Sequence, residues 1–277
     1  MIELLKAALF GIVEGITEWL PVSSTGHMIL LDEFVSLRVS PLFLQMFMVV
    51  IQLGAILAVI IMYWNTIWPI RKDRKTGKYR IDQDIISLWG KVIAACLPAA
   101  VVGILADDWL DVHFRNWVVV SIMLILVGAA FIVIENRNRG RKPVTRRLHD
   151  ISLREAMIIG LFQLIAAIFP GTSRSGATIL GGIMIGVSRP AAAQFTFIMA
   201  IPVMLGASLI KILKYGLFFS GMELAILLTG MIVAFLVSVL VIRFIMRYIK
   251  THNFKIFGWY RIILGIIVII YFAIIRR

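Results

Sequence analysis

The sequence predicts an all-α polytopic membrane protein: a single membrane domain over residues 1–277, with six full transmembrane spans and two re-entrant helical hairpins in an inverted-topology repeat. Three observations predict it. The chain is 61% hydrophobic and 16% charged, with a mean hydropathy of +0.97, whereas soluble domains carry about 25% charged residues. Its apolar runs reach the roughly 20 residues that a helix needs to cross a bilayer. Two stretches, Gly11 to Leu30 and Gly160 to Leu180, are equally apolar but break at Pro21 and Pro170 and carry ionisable groups. Non-helical backbone at membrane depth survives only where protein or a water-filled cavity satisfies it. An ionisable residue there is a functional-site hypothesis by default.

In chain order, residues 2–20 form a hydrophobic helix interrupted by Glu14 and Glu18, and residues 24–34 a short second one ending at Asp32-Glu33. Each is short for a full crossing, so together they suit a hairpin that enters the bilayer and returns. Full spans follow at 41–63, 85–105 and 117–135, then a second short pair at 153–169 and 175–187, then spans at 190–214, 222–245 and 258–275.

Loop charge orients these spans. The 65–84 loop carries Arg71, Lys72, Arg74, Lys75, Lys78 and Arg80, and the 136–149 loop is comparably basic. Two spans separate them, so they share a side, which the positive-inside rule makes the cytoplasm. The intervening loop, with Asp107, Asp108, Asp111 and Arg115, then lies outside, as do both termini. Because the cations sit in short loops between apolar runs, the net charge of +13 reads as membrane orientation and not as a nucleic-acid face. Cys96 is alone, which excludes an intramolecular disulfide and a cysteine metal site. With Glu3 ahead of the first cation, Lys6, and no small-residue cleavage site, no removable signal peptide is expected.

A diverged repeat runs through the chain. Gly11 matches Gly160, Glu14 matches Gln163, Pro21 matches Pro170 and Ser24 matches Ser173, all at an offset of 149 (160 − 11). Repeat one covers residues 1–135 and repeat two 153–277, joined by a basic linker at 136–152. Each holds one hairpin and three spans. Three is odd, so the second copy is inverted, and the hairpin tips can meet near the midplane as in inverted-repeat transporters.

The tips carry the chemistry. Glu14 and Glu18, at i and i+4, project from one helical face. Two like charges there need a proton or a cation, and oxygen ligands favour Mg²⁺ or Ca²⁺. The alternative is a single protonated glutamic acid. In the segment Pro21 to His27, one Ser is explained as a helix cap, but not Ser23, Ser24, Thr25 and His27 together. Ser24 and His27, at i and i+3, suit a nucleophile and its base, unless His27 only donates a structural hydrogen bond. The segment Pro170 to Thr178 sets Ser173, Arg174, Ser175 and Thr178 at a helix start, where backbone amides attract anions. Arg174 adds a bidentate fork suited to phosphate; the alternative is that it pairs only with Glu14 or Glu18, and the two combine if it pairs with a carboxylate until phosphate arrives.

These residues resemble the undecaprenyl-diphosphate phosphatase family linked to bacitracin resistance. The matching elements are Glu14-Gly-Ile-Thr-Glu18, PVSSTGH at 21–27 and PGTSRSGAT at 170–178, and the likeness spans essentially the whole chain. The resemblance implies hydrolysis of a polyprenyl diphosphate lipid, undecaprenyl diphosphate, to the monophosphate, which recycles the carrier for cell-wall synthesis. It further implies dependence on a divalent cation and a site opening to the outer face of a bacterial cytoplasmic membrane. It makes Glu14, Glu18, Ser24, His27, Ser173, Arg174 and Thr178 the expected site. On that basis Arg174, Ser173 and Thr178 hold the diphosphate, a cation near Glu14 and Glu18 offsets its charge, and Ser24 attacks. Glu18 or His27 takes the proton, with His27 as the alternative nucleophile. A transporter or flippase is the rival class, since inverted repeats with broken helices are its usual signature. A homodimer is an assembly the sequence leaves open.

Overall fold

The computed structural model describes residues 1–72, 78–114 and 116–275; the side chains of residues 107, 108, 111 and 275 are left aside. The expected charges at Arg74, Lys75 and Arg115, and the aspartate side chains at 107, 108 and 111, therefore lie outside the described residues.

The chain opens with α1 (Ile2–Thr17) and α2 (Ser24–Phe34), a helix–turn–helix pair. Next come α3 (Pro41–Val50) and α4 (Gln52–Met62), the short α5 (Trp64–Ile67) and an antiparallel pair of strands, β1 (Ile70–Lys72) and β2 (Tyr79–Ile81). Two long helices follow, α6 (Gln83–Phe114) and α7 (Trp117–Arg137). The second half repeats the order: α8 (Leu153–Ile168), α9 (Arg174–Met184), α10 (Arg189–Tyr215), α11 (Gly221–Tyr248) and α12 (Lys255–Ile270), with a π turn to Ile275. Among the described residues six stretches are long and apolar enough to cross a membrane: Pro41–Met62, Gln83–Ala106, Trp117–Arg137, Arg189–Tyr215, Gly221–Tyr248 and Lys255–Ile274. They coincide with the expected spans, and the chain is a multi-pass membrane protein.

Helix starts follow local chemistry. Ser40 and Ser188 accept hydrogen bonds from the Phe43 and Ala191 N–H groups, each followed by a proline in the first turn. Ser152 with Glu155 and Ser220 with Glu223 close reciprocal capping boxes. The first span, Pro41–Met62, is two helical segments joined at Ile51, whose helical φ and ψ let the chain continue. One expectation needed correction. The loop expected at 106–116 is largely helix, because α6 runs on to Phe114. In that extension the Trp109 and His113 rings, at i and i+4, stack 4.4 Å apart, and His113 Nδ1 lies 2.8 Å from the Trp109 carbonyl.

Glycines set how closely the helices approach. α1 packs on α11, α8 on α6, and α7 on α12, so the first helix of each half seats on the second of the other half's three spans. A methyl group at Gly11 would lie 2.5 Å from the Gly230 oxygen, and one at Gly160 would lie 2.3 Å from the Ala95 oxygen. Gly128 and Gly258 meet in the same way: a methyl group on either would lie 2.7 Å from the other's carbonyl oxygen. Such small-residue seams are how helices associate in lipid, where apolar surface gives no driving force. Gly160→Ala should therefore unseat α8 and destabilise the fold by about 1–3 kcal/mol, the range for overpacking. Thermal unfolding in detergent measures this; a parental melting temperature would mean that α8 tolerates displacement from α6.

Candidate active site

The two turns are built alike. Glu18 caps the end of α1, and the chain turns through Trp19–Val22 before α2 begins at Ser24. α8 ends at Ile168, and the chain turns before α9 begins at Arg174. Ser23 and Ser173 are the residues just ahead of α2 and α9. Their φ values are 75° and 70°, the only positive values at non-glycine positions among the described residues. Their hydroxyls accept from Gly26 N (3.3 Å) and Gly176 N (3.1 Å). Serine in this left-handed region is strained, and such strain persists only where the surroundings over-determine it. The matched caps pair Ser23 with Ser173, an offset of 150 (173 − 23). The Ser24–Ser173 match at 149 is thereby corrected, since the second turn has one residue more after its proline.

The turns meet at Glu18. Arg174 Nη2 donates to Glu18 Oε1 (2.9 Å) and Ser24 Oγ donates to Glu18 Oε2 (2.7 Å). Arg174 Nη1 donates to the Thr196 carbonyl (3.1 Å), which fixes the guanidinium plane. Side-chain exposure is 14% for Arg174 and 7% for Glu18, so the pair is shielded from lipid. Together Glu18, Ser24, Thr25, Ser173, Arg174 and Gln52 supply the polar lining of a cavity of about 140 Å³. Glu14 lies one helical turn back, buried, with its Oε1 lacking a hydrogen-bond partner among the described residues.

The remaining candidates build the walls. Ser23 is a buried cap. Ser175 Oγ donates to the Glu18 carbonyl (2.9 Å) and ties one turn to the other. Thr178, fully buried, donates to the Arg174 carbonyl (2.8 Å) and accepts from Thr196 Oγ1 (2.9 Å). His27 is not beside the Ser24 hydroxyl as the i, i+3 spacing suggested. Its Nδ1 is 2.7 Å from the Ser23 carbonyl and its Nε2 2.7 Å from Tyr260 Oη, and it lines a separate apolar cavity between α1, α11 and α12. Both of its ring nitrogens are engaged there, and the acceptor beside the Ser24 hydroxyl is Glu18.

Arg261, on α12, was missed. It is fully buried, and its guanidinium donates to the carbonyls of Pro21 (3.2 Å), Gly171 (2.9 Å) and Thr172 (2.8 Å). Its signal was present: it lies within an otherwise apolar span, Lys255–Ile274, and an intramembrane cation demands a partner. Thr196 and Tyr260 were missed too, since each is a single polar residue whose partner comes from another helix, and so was Gln52, which lines the cavity from α4.

Comparison with known proteins adds the chain's kinship. A family model described as bacitracin resistance protein BacA matches residues 7–267. A Desulfitobacterium hafniense protein named undecaprenyl-diphosphatase is 58% identical, covering 99% of this chain and 97% of that one. Relatives of the same name are 59% identical in Enterococcus faecalis, over 99% of this chain and 98% of that one, and 55% in Acetivibrio thermocellus, over the whole of both.

Proposed function

The chain belongs to the bacitracin resistance protein BacA family, and from that premise we propose that it hydrolyses undecaprenyl diphosphate to undecaprenyl phosphate and inorganic phosphate, returning the lipid carrier to cell-wall synthesis. The hydrogen-bonded chain Ser24–Glu18–Arg174 at the meeting of two turns carries this reading. It sets a hydroxyl, a base and an anion-binding fork around one polar cavity. A transporter alone is not favoured, since the relatives bear the name of a hydrolase.

Ser24 Oγ attacks the terminal phosphorus and passes its proton to Glu18 Oε2. The bond from that phosphorus to the bridging oxygen breaks, and undecaprenyl phosphate leaves. Water then attacks the phosphoserine, Glu18 returns a proton to Ser24 Oγ, and inorganic phosphate departs. Arg174, released from Glu18 as the diphosphate enters, holds the phosphoryl oxygens with the Ser173 hydroxyl. Catalysis of this kind is mostly positioning and charge stabilisation.

The donor set fits a hard divalent cation: two carboxylates on one face, one with a buried oxygen that has no partner among the described residues. Glu14 and Glu18 would hold it, and it would neutralise diphosphate charge. Two protein carboxylates leave the other positions to substrate oxygens and water, the way Mg²⁺ is commonly bound. Detergent-solubilised protein should release phosphate from undecaprenyl diphosphate, and a chelator should lower that rate by at least about 10-fold, reversed by added Mg²⁺. Phosphate release unaffected by chelator would remove the cation from the scheme, and none at all would remove the phosphatase.

The reading includes an inverted repeat, residues 1–135 and 153–277 about the linker 136–152, with re-entrant hairpins, in a bacterial cytoplasmic membrane and with the site opening outward. Reciprocal packing of α1 on α11 and α8 on α6, the matched Ser23 and Ser173 caps and the basic 65–84 and 136–149 loops support it. Cysteines introduced at Lys78 and at Ser220 should react with an impermeant thiol reagent from opposite sides of the membrane. Labelling from one side would overturn this topology.

A further inference from the structure

We infer that Arg261 is the positioning residue that holds the two half-sites in register, the Glu18–Ser24 half on the first turn and the Arg174 half on the second. The inference rests on the phosphatase reading for its kinetic consequence, but not for its structural one. Each broken helix exposes carbonyls that no helical N–H reaches, and at membrane depth an unsatisfied carbonyl is strongly unfavourable. One guanidinium meets carbonyls from both breaks, Pro21 on the first and Gly171 and Thr172 on the second.

Two features fit the neighbourhood to that fork. The Gly128–Gly258 contact draws α12 against α7, one turn before Arg261. Gly176 leaves room for it, since a methyl group there would lie 3.1 Å from Arg261 Nη1. Beside it, Tyr260 reaches the first turn through His27 and the Ser23 carbonyl. α12 thus touches no reacting group, yet it sets where Ser24 and Arg174 stand. Ser175, which bonds the Glu18 carbonyl, and the Glu18–Arg174 pair also link the two turns.

The test uses purified full-length protein carrying Arg261→Met, Arg261→Lys or Gly176→Ala. A misplacement of about 1 Å can cost about 10²-fold in turnover, so Arg261→Met should lower kcat by roughly that factor while KM moves less than about threefold. Arg261→Lys, a point donor without the fork, should restore only part of the loss. Gly176→Ala, whose methyl group would crowd both Arg261 Nη1 and the Ser173 Cβ at 3.1 Å, should lower kcat in the same direction. Hydrogen–deuterium exchange gives an arm independent of activity: in Arg261→Met, residues 19–25 and 170–176 should lose protection together. Parental kcat in a folded Arg261→Met protein would overturn the positioning role, as would unchanged protection of both turns. An inactive parent would count against the phosphatase reading alone, and the exchange arm would still decide Arg261.

Discussion

Replacing Ser24 with alanine should lower the rate of phosphate release by at least about 10³-fold, the scale seen when a covalent nucleophile is removed, with KM little changed. The expectation follows from what the hydroxyl touches. It donates to Glu18 Oε2 at 2.7 Å, the geometry of a nucleophile beside its base. Removing it leaves Glu18 still held by Arg174 and the turn still capped by Ser23, so the melting temperature should stay near that of the parent. A second readout separates nucleophile from bystander. Substrate labelled in its terminal phosphate should leave acid-stable label on Ser24 of the parent under rapid quench and none on the alanine variant. Turnover retained by Ser24→Ala would hand the attack to water and end the covalent scheme. His27 would not inherit the role, because its ring nitrogens face the Ser23 carbonyl and Tyr260 in another cavity.

The spans were legible because lipid imposes a length and an apolarity that any window of sequence displays. The pairing of Glu18 with Arg174 was legible for a related reason: an isolated charge at that depth must find its opposite, and few were available. Other features depend on which helix lies opposite. His27 reads as a partner of Ser24 until α12 presents Tyr260 to its far nitrogen. Ser24 aligned with Ser173 only because the fixed offset ignored the extra residue between Pro170 and Ser173, which backbone geometry exposes through the two positive φ values. Nothing in the apolar run around Ile51 marks a break in the helix. Arg261 is different: the rule that singled out Arg174 applied to it equally, and only its place in the last span, away from any motif, hid it.

Arg174→Ala should abolish turnover and also weaken the fold, and a partner substitution should separate the two effects. The guanidinium bonds Glu18 Oε1 and the Thr196 carbonyl, with both charged side chains largely buried. Removing one member of such a pair leaves an uncompensated charge, typically about 3–5 kcal/mol, so Arg174→Ala should melt well below the parent. Adding Glu18→Gln removes the stranded charge and should recover much of that stability, since a pair replaced on both sides is often near neutral. It should recover none of the turnover: the double variant lacks both the fork for phosphoryl oxygens and the base for Ser24, and kcat/KM should remain at least about 10³-fold down. Stability rescued without activity makes Glu18–Arg174 a resting arrangement whose members serve the substrate when it arrives. Activity returning along with stability would make the ion pair scaffolding, and the anion would have to bind elsewhere.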